Sequence, residues 1–308
     1  MFGKKLNQKE MNKLIVIVGP TCTGKTSLAK KLSTRINGEI ISADSRQMVK
    51  GLDYGTGKLK KSGGVPDTIF GYDLVNPDES FSAFDYRNLV EKKLSELFSS
   101  DITPILVGGT GFYVDAVTGR VKINSGSTNT LLRESLNSKP IGDLQNQLKN
   151  LSSEIYNSID TKNKVRVVRS IEKLLLPVSS TSLTKEIPRS EYECLYIGLT
   201  SSRESLYKRS DTWLDENWKL ILKETDELLR SKYSNSHYLS GLVYKTAKNV
   251  ILGYIDSDTG LSQAKFDTHA YIRRQQTWFK RNTGIIWFDV DADYYTSCEQ
   301  VVLSFLGK

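Results

Sequence analysis

Unbroken apolar runs and apolar stripes alternate along this chain. Leu14-Ile15-Val16-Ile17-Val18 is a β-branched run that stops at Gly19-Pro20, the pattern of a strand buried on both faces. Leu28, Leu32 and Ile36 then recur at helical spacing, and Asn37-Gly38 closes that helix. Glu39 to Ser42 reads as a short strand, and Ile69 to Val75 as another. Pro77 to Ser82 turns into a helix carrying Phe84, Leu89, Leu94 and Leu97. Ile102 to Val107 is a second buried strand, Cys194 to Leu199 a third, and Ile285 to Phe288 the last. Helices are predicted over Val165 to Leu176, Arg203 to about Lys232, and Asp267 to Arg281. Lys58 to Gly64 reads as a mobile basic loop and Ser179 to Arg189 as a polar one. Strands alternating with helices predict an α/β fold, a parallel sheet with helices on both faces.

The pattern changes between 121 and 162. Asn and Ser dominate, and Leu131, Leu132, Leu136, Leu144, Leu148 and Leu151 give short helical stripes. This predicts a small helical insertion, with 10–120 and 163–308 forming the core. The formal net charge of +8 favours a polyanionic partner. The three cysteines, Cys22, Cys194 and Cys298, have no metal-like spacing, which predicts a reducing cytoplasm rather than a disulfide framework. Only His237 and His269 are available for histidine chemistry. The N-terminal stretch is polar, and no run approaches membrane-spanning length.

The chemistry starts directly after the first strand. Gly19 to Thr26 (GPTCTGKT) fits G-x-x-x-x-G-K-[ST], between a strand and a helix. This is the context of a phosphate-binding P-loop, so the expected fold is P-loop NTPase-like. Gly19 and Gly24 let backbone N–H groups of Thr21, Cys22 and Thr23 turn onto an anion at the helix N-terminus. Lys25 supplies a full positive charge, and the Thr26 hydroxyl is a ligand for Mg²⁺ bridging two phosphates. The loop predicts a bound polyphosphate without saying which one.

Further blocks narrow the choice. ISADSRQ (41–47), LDYGTGK (52–58), NPDESFSAFDY (76–86), LVGGTGFY (106–113), NKVRVVRSIE (163–172), ILGY (251–254) and THAYIRRQQTWFKR (268–281) follow the P-loop in order. Together they resemble tRNA dimethylallyltransferases of the bacterial type. The resemblance implies transfer of a dimethylallyl group from its diphosphate to N6 of the adenosine 3′ of the anticodon. It implies a cytoplasmic monomer that binds a tRNA anticodon stem-loop and dimethylallyl diphosphate with Mg²⁺. It makes Asp44 the general base, alongside Thr21, Lys25 and Thr26. It assigns Ser45, Arg46, Gln47, Thr110, Arg166, Arg169, Arg273, Arg274 and Gln275, with Asp44, to tRNA, and Arg209 to the diphosphate.

The residues support that chemistry on their own. An allylic diphosphate ionises readily if its leaving group is held by preorganised cations and N–H groups. The adenine N6 lone pair is delocalised, so a carboxylate that accepts its proton helps. The chain departs from the family at Trp213, where a second arginine one turn beyond Arg209 is usual, and at His269-Ala270. Two rival readings share the core: an adenylate isopentenyltransferase acting on free nucleotide, and a tRNA-binding paralogue with weakened catalysis.

Overall fold

The computed structural model describes residues 11–59, 69–121, 130–176 and 192–308. Most of the predicted basic loop and all of the polar loop 179–189 lie outside them. Two compact units result, Met1–Lys122 with Arg189–Lys308, and Ile123–Pro188.

The first unit begins with β1 (Asn12–Val18), α1 (Lys25–Ile36) and β2 (Gly38–Ser42). It continues through α2 (Ala83–Ser99), β3 (Thr103–Gly108) and α3 (Gly111–Val117). Four short helices of the second unit follow: α4 (Thr130–Asn137), α5 (Ile141–Leu151), α6 (Ser153–Ser158) and α7 (Lys164–Leu175). The first unit resumes with β4 (Tyr192–Thr200), α8 (Arg203–Arg230), a 3₁₀ turn (His237–Ser240) and α9 (Leu242–Ile251). It ends with α10 (Ser257–Phe279), β5 (Ile285–Asp289) and α11 (Tyr295–Leu306).

The five strands form one sheet in the order β2-β3-β1-β4-β5, every pair parallel. Leu14 to Val18 have no exposed surface, as the unbroken apolar run requires of the central strand. On one face Ile15, Ile17, Ile105 and Ile197 pack with Leu28, Leu32 and Ile36 of α1 and Cys298 and Val302 of α11. Strand alternation sends Leu14 and Val16 to the other face. Local signals match their elements. Asn37 closes α1 in the left-handed region (φ 55°), its N–H on the Ser33 carbonyl. Ser82 and Asp85 form a reciprocal capping box at the start of α2.

Three expectations change. Ile69 to Val75 is not a strand. Only Phe70 and Val75 bridge to neighbouring chain, at Ile41 and Val49, because Gly71 (φ 99°) and Asp73 (φ 54°) turn the backbone out of extension. Helix α10 starts at Ser257, ten residues before the predicted start at Asp267, on an Asp256 cap. Gly260 hides that start in the sequence. A β-carbon there would lie 2.3 Å from the Val250 side chain, so α9 and α10 meet at this glycine. Lastly, α7 belongs to the helical unit. Val167, Val168 and Ile171 join Leu136, Leu144 and Leu148 in one apolar cluster. Buried Glu172 receives the Arg133 guanidinium at 2.7 Å. No helix of the described residues is long and apolar enough to cross a membrane.

The sheet's carboxyl edge is tightly built where β3 leaves it. A β-carbon on Gly108 would lie 2.1 Å from the Ala43 carbonyl oxygen, a backbone atom that cannot swing aside. Gly108→Ala is therefore expected to destabilise the chain by about 1–3 kcal/mol in a denaturant unfolding curve. An unchanged midpoint would show that the two strand ends separate freely.

Candidate active site

The loop after β1 is shaped by three unusual backbone positions, Gly19 (φ 142°), Cys22 (φ 63°) and Gly24 (φ 77°). Gly19 cannot carry a side chain, since a β-carbon would meet the Leu199 carbonyl oxygen at 2.3 Å. The loop delivers its N–H groups to the start of α1, whose first turn holds no acidic residue. The positive helix end is left for a ligand. Lys25 folds back over the loop, its Nζ donating to the Pro20 carbonyl at 2.6 Å. Burial lowers the Lys25 pKa to about 8, although Cys22 and Asp44 pull it upward. The Thr23 hydroxyl also donates to Pro20, at 2.9 Å, so only its backbone N–H remains for an anion. The Thr26 hydroxyl makes no hydrogen bond among the described residues.

A cavity of about 350 Å³ opens above this loop, at the carboxyl ends of the strands. Thr21, Cys22, Gly24, Lys25 and Thr26 form one end. Asp44 stands in its wall. One carboxylate oxygen of Asp44 accepts the Arg46 N–H at 2.9 Å, which fixes the side chain on its turn. Apolar groups of Leu59, Ile69, Tyr72, Trp213, Leu242 and Val243 complete the lining. The chamber thus joins an anion site, a carboxylate and a greasy wall.

Several residues expected to touch RNA make hydrogen bonds within the protein. Gln275 is buried and lines the cavity floor; its Oε1 accepts the Thr21 N–H at 2.9 Å and its Nε2 donates to the Gly109 carbonyl at 3.0 Å. Gln47 spends its amide likewise, accepting from Ser42 Oγ at 2.8 Å and donating to the Thr56 carbonyl at 3.1 Å. The Arg46 guanidinium donates to the Tyr238 carbonyl and stacks on its ring. All three line the chamber. Thr110 sits behind the wall, its hydroxyl accepting the Ser45 N–H at 3.1 Å. Arg209 does not line the chamber; Asp291 holds its guanidinium at 2.6 Å. Arg273 donates to the Tyr207 hydroxyl at 2.9 Å, while Arg274 is exposed. Arg166 and Arg169 are exposed on α7, in the other unit.

Other functional groups were not singled out from the sequence. Buried Glu224 accepts backbone N–H groups of Asp53 at 2.7 Å, Tyr54 at 2.9 Å and Gly55 at 3.3 Å, and the Tyr244 hydroxyl at 2.6 Å. It fixes the loop whose Gly55, Thr56 and Gly57 line the chamber. The signal was present, for Glu224 falls on the stripe of Ile221, Thr225 and Leu228. Lys58, expected in a mobile loop, is buried. Its Nζ donates to Asp53 at 2.9 Å, Asp73 at 2.6 Å and the Val49 carbonyl at 2.8 Å. Tyr271 lines the chamber one turn before Gln275.

A sequence profile described as IPP transferase matches residues 47–282. The chain belongs to that family. A second profile, isopentenyl transferase, matches residues 12–63 of the chain. It is 33% identical over 306 residues to a tRNA dimethylallyltransferase of Acetivibrio thermocellus, covering 95% of this chain and 96% of that one. The tRNA dimethylallyltransferase of Bacillus subtilis is 31% identical over 288 residues, 90% of each chain. Among solved structures, the full-length tRNA isopentenylpyrophosphate transferase from Bacillus halodurans superposes with a TM-score of 0.70. It is 29% identical, covering 96% of this chain and 97% of that one.

The Lys25 ammonium generates a pH signature. In the free protein burial brings its pKa down to about 8, and a bound diphosphate stabilises the charged form. Proton uptake therefore accompanies binding above that pH. Affinity for a prenyl diphosphate is expected to be flat below about pH 7 and to fall up to about tenfold per pH unit above 8. Lys25→Ala should weaken binding and remove that fall, as read by calorimetry from pH 6 to 9.5. A slope that survives the substitution would assign the proton elsewhere.

Proposed function

We propose that this chain is a tRNA dimethylallyltransferase, moving a dimethylallyl group from its diphosphate to N6 of the adenosine 3′-adjacent to the anticodon. The observation that carries the reading is one chamber holding an anion loop, an apolar wall and a carboxylate. The allylic C–O bond breaks, the C–N6 bond forms, the N6 proton goes to Asp44, and pyrophosphate leaves. Loop N–H groups and Lys25 stabilise the charge that develops on the leaving oxygens. Leu59, Ile69, Tyr72 and Trp213 exclude water from the allylic cation. Thr26 fits a Mg²⁺ ion, having a hard oxygen with no hydrogen-bond partner among the described residues. Among the described residues no group of three or more His, Cys, Asp or Glu gathers to cage a metal. Such an ion would be held by the Thr26 hydroxyl, with diphosphate and water oxygens supplying the hard ligands Mg²⁺ prefers. When bound it offsets charge on the leaving group.

The RNA partner is an anticodon stem-loop, whose unpaired base reaches a buried site more cheaply than one in a duplex. Exposed Arg166, Arg169 and Arg274 suit its phosphates. The protein acts as a cytoplasmic monomer. Incubation with labelled dimethylallyl diphosphate and either tRNA or AMP tests the reading. Label is expected in tRNA alone; transfer to AMP alone would make the chain a free-nucleotide enzyme.

Asp44→Asn keeps the side chain's size but cannot accept the proton. Single-turnover kcat is expected to fall about 10²-fold or more with tRNA affinity retained. Loss of affinity with the bound-state rate intact would make Asp44 a positioning group. Stem-loop affinity should fall with salt, and Arg274→Ala should reduce the log–log slope by about one. A slope unchanged in that variant would place Arg274 off the RNA.

A further inference from the structure

A second cavity, of about 170 Å³, lies between α3 and the end of α10, and nothing in the proposed reaction uses it. It adjoins the first, since Gln275 belongs to one and Trp278 and Phe279, a turn further on, to the other. Its polar wall is Asp115. One oxygen of that carboxylate accepts the Trp278 indole N–H at 2.9 Å, while the other meets Arg120 only at 3.5 Å and keeps acceptor capacity. Burial raises the Asp115 pKa, against the pull of Arg120 and Arg281.

The cavity's mouth is built from flat groups. The Arg120 guanidinium lies over the Tyr196 ring at 5.9 Å, and that of Arg281 over Trp278 at 5.4 Å. Both rings and both arginines line the cavity. A withdrawn carboxylate with acceptor capacity to spare costs stability until a donor reaches it, and the ring–guanidinium pairs stand beside it. Together they match the requirements of an unpaired nucleotide: a face to stack on, an acceptor for ring N–H groups, and cations for the flanking phosphates. Size selects the ring. A dry cavity of about 150 Å³ takes one benzene, so this one takes a single six-membered ring rather than a purine.

We propose that the second cavity receives an unpaired pyrimidine of the RNA substrate, near the reacting adenosine, with its amino or imino N–H donated to Asp115. The proposal rests on the RNA substrate argued above. It assigns Asp115, Arg120 and Arg281 to RNA recognition, with no contact to the prenyl donor.

An abasic scan of an anticodon stem-loop tests it. Each unpaired nucleotide other than the target is removed singly, and Kd is measured with wild type, Asp115→Ala and Arg281→Ala. At one pyrimidine position the abasic site is expected to weaken wild-type binding about tenfold and either variant less than twofold. Affinity for dimethylallyl diphosphate should not change in the variants. Arg281 is exposed, so its variant reports even if the Asp115 change perturbs folding. Independent, multiplicative losses at every position, in a wild type that still prenylates the stem-loop, would overturn this assignment alone. A wild type that neither binds nor prenylates RNA overturns it together with the proposed function.

Discussion

The side-chain amide of Gln275 accepts a hydrogen bond from the loop after β1 and donates one to the loop after β3, at 2.9 and 3.0 Å. Three segments far apart in the chain therefore meet at one buried group. An amide suits the position because it is donor and acceptor at once; a carboxylate would repel the Gly109 carbonyl and an ammonium the Thr21 N–H. The contact is close as well as polar. A β-carbon on Gly109 would lie 2.3 Å from Gln275 Nε2, so the double glycine lets the helix approach. Chamber geometry follows from this clamp, which fixes the phosphate end against α10 before any ligand arrives.

Electrostatics complete what the clamp arranges. The anion loop gathers helix dipole, N–H groups and a desolvated lysine with no acid in the first turn. That concentration of positive character is unfavourable until an anion enters. The opposite wall is calm by contrast. Glu224 and Lys58 each have several partners, and both hold the glycine-containing loop that shapes the apolar side.

How much of this was legible depends on range. The anion loop is a local motif, with strand, glycines and helix start contiguous, so Lys25 and Thr26 were placed without a fold. The strand order's central member showed in an unbroken apolar run. Long-range work was not legible. Gln275 and Gln47 have the chemistry of base readers, and only their neighbours reveal that both ends of each amide are used. The motif around Arg209 is silent about its ion partner Asp291, 82 residues away in sequence. Lys58 stood in a basic, glycine-rich stretch whose two aspartate partners, Asp53 and Asp73, flank it in the chain. The helical stripe of α7 does not say which apolar face it joins, and its partners Leu136, Leu144 and Leu148 lie in the insertion.

Helix α8 carries Arg209, Trp213 and Glu224 on one uninterrupted rod of 28 residues, about 42 Å long. Losing or gaining a residue between those positions turns everything beyond it by about 100°. The indole and the buried carboxylate could not then both face inward. Length in that stretch is consequently frozen, while its outward face, with Lys219 and Lys223, is free to drift. Divergence in such a chain proceeds by exchange of side chains on a ruler whose spacing is inherited unchanged.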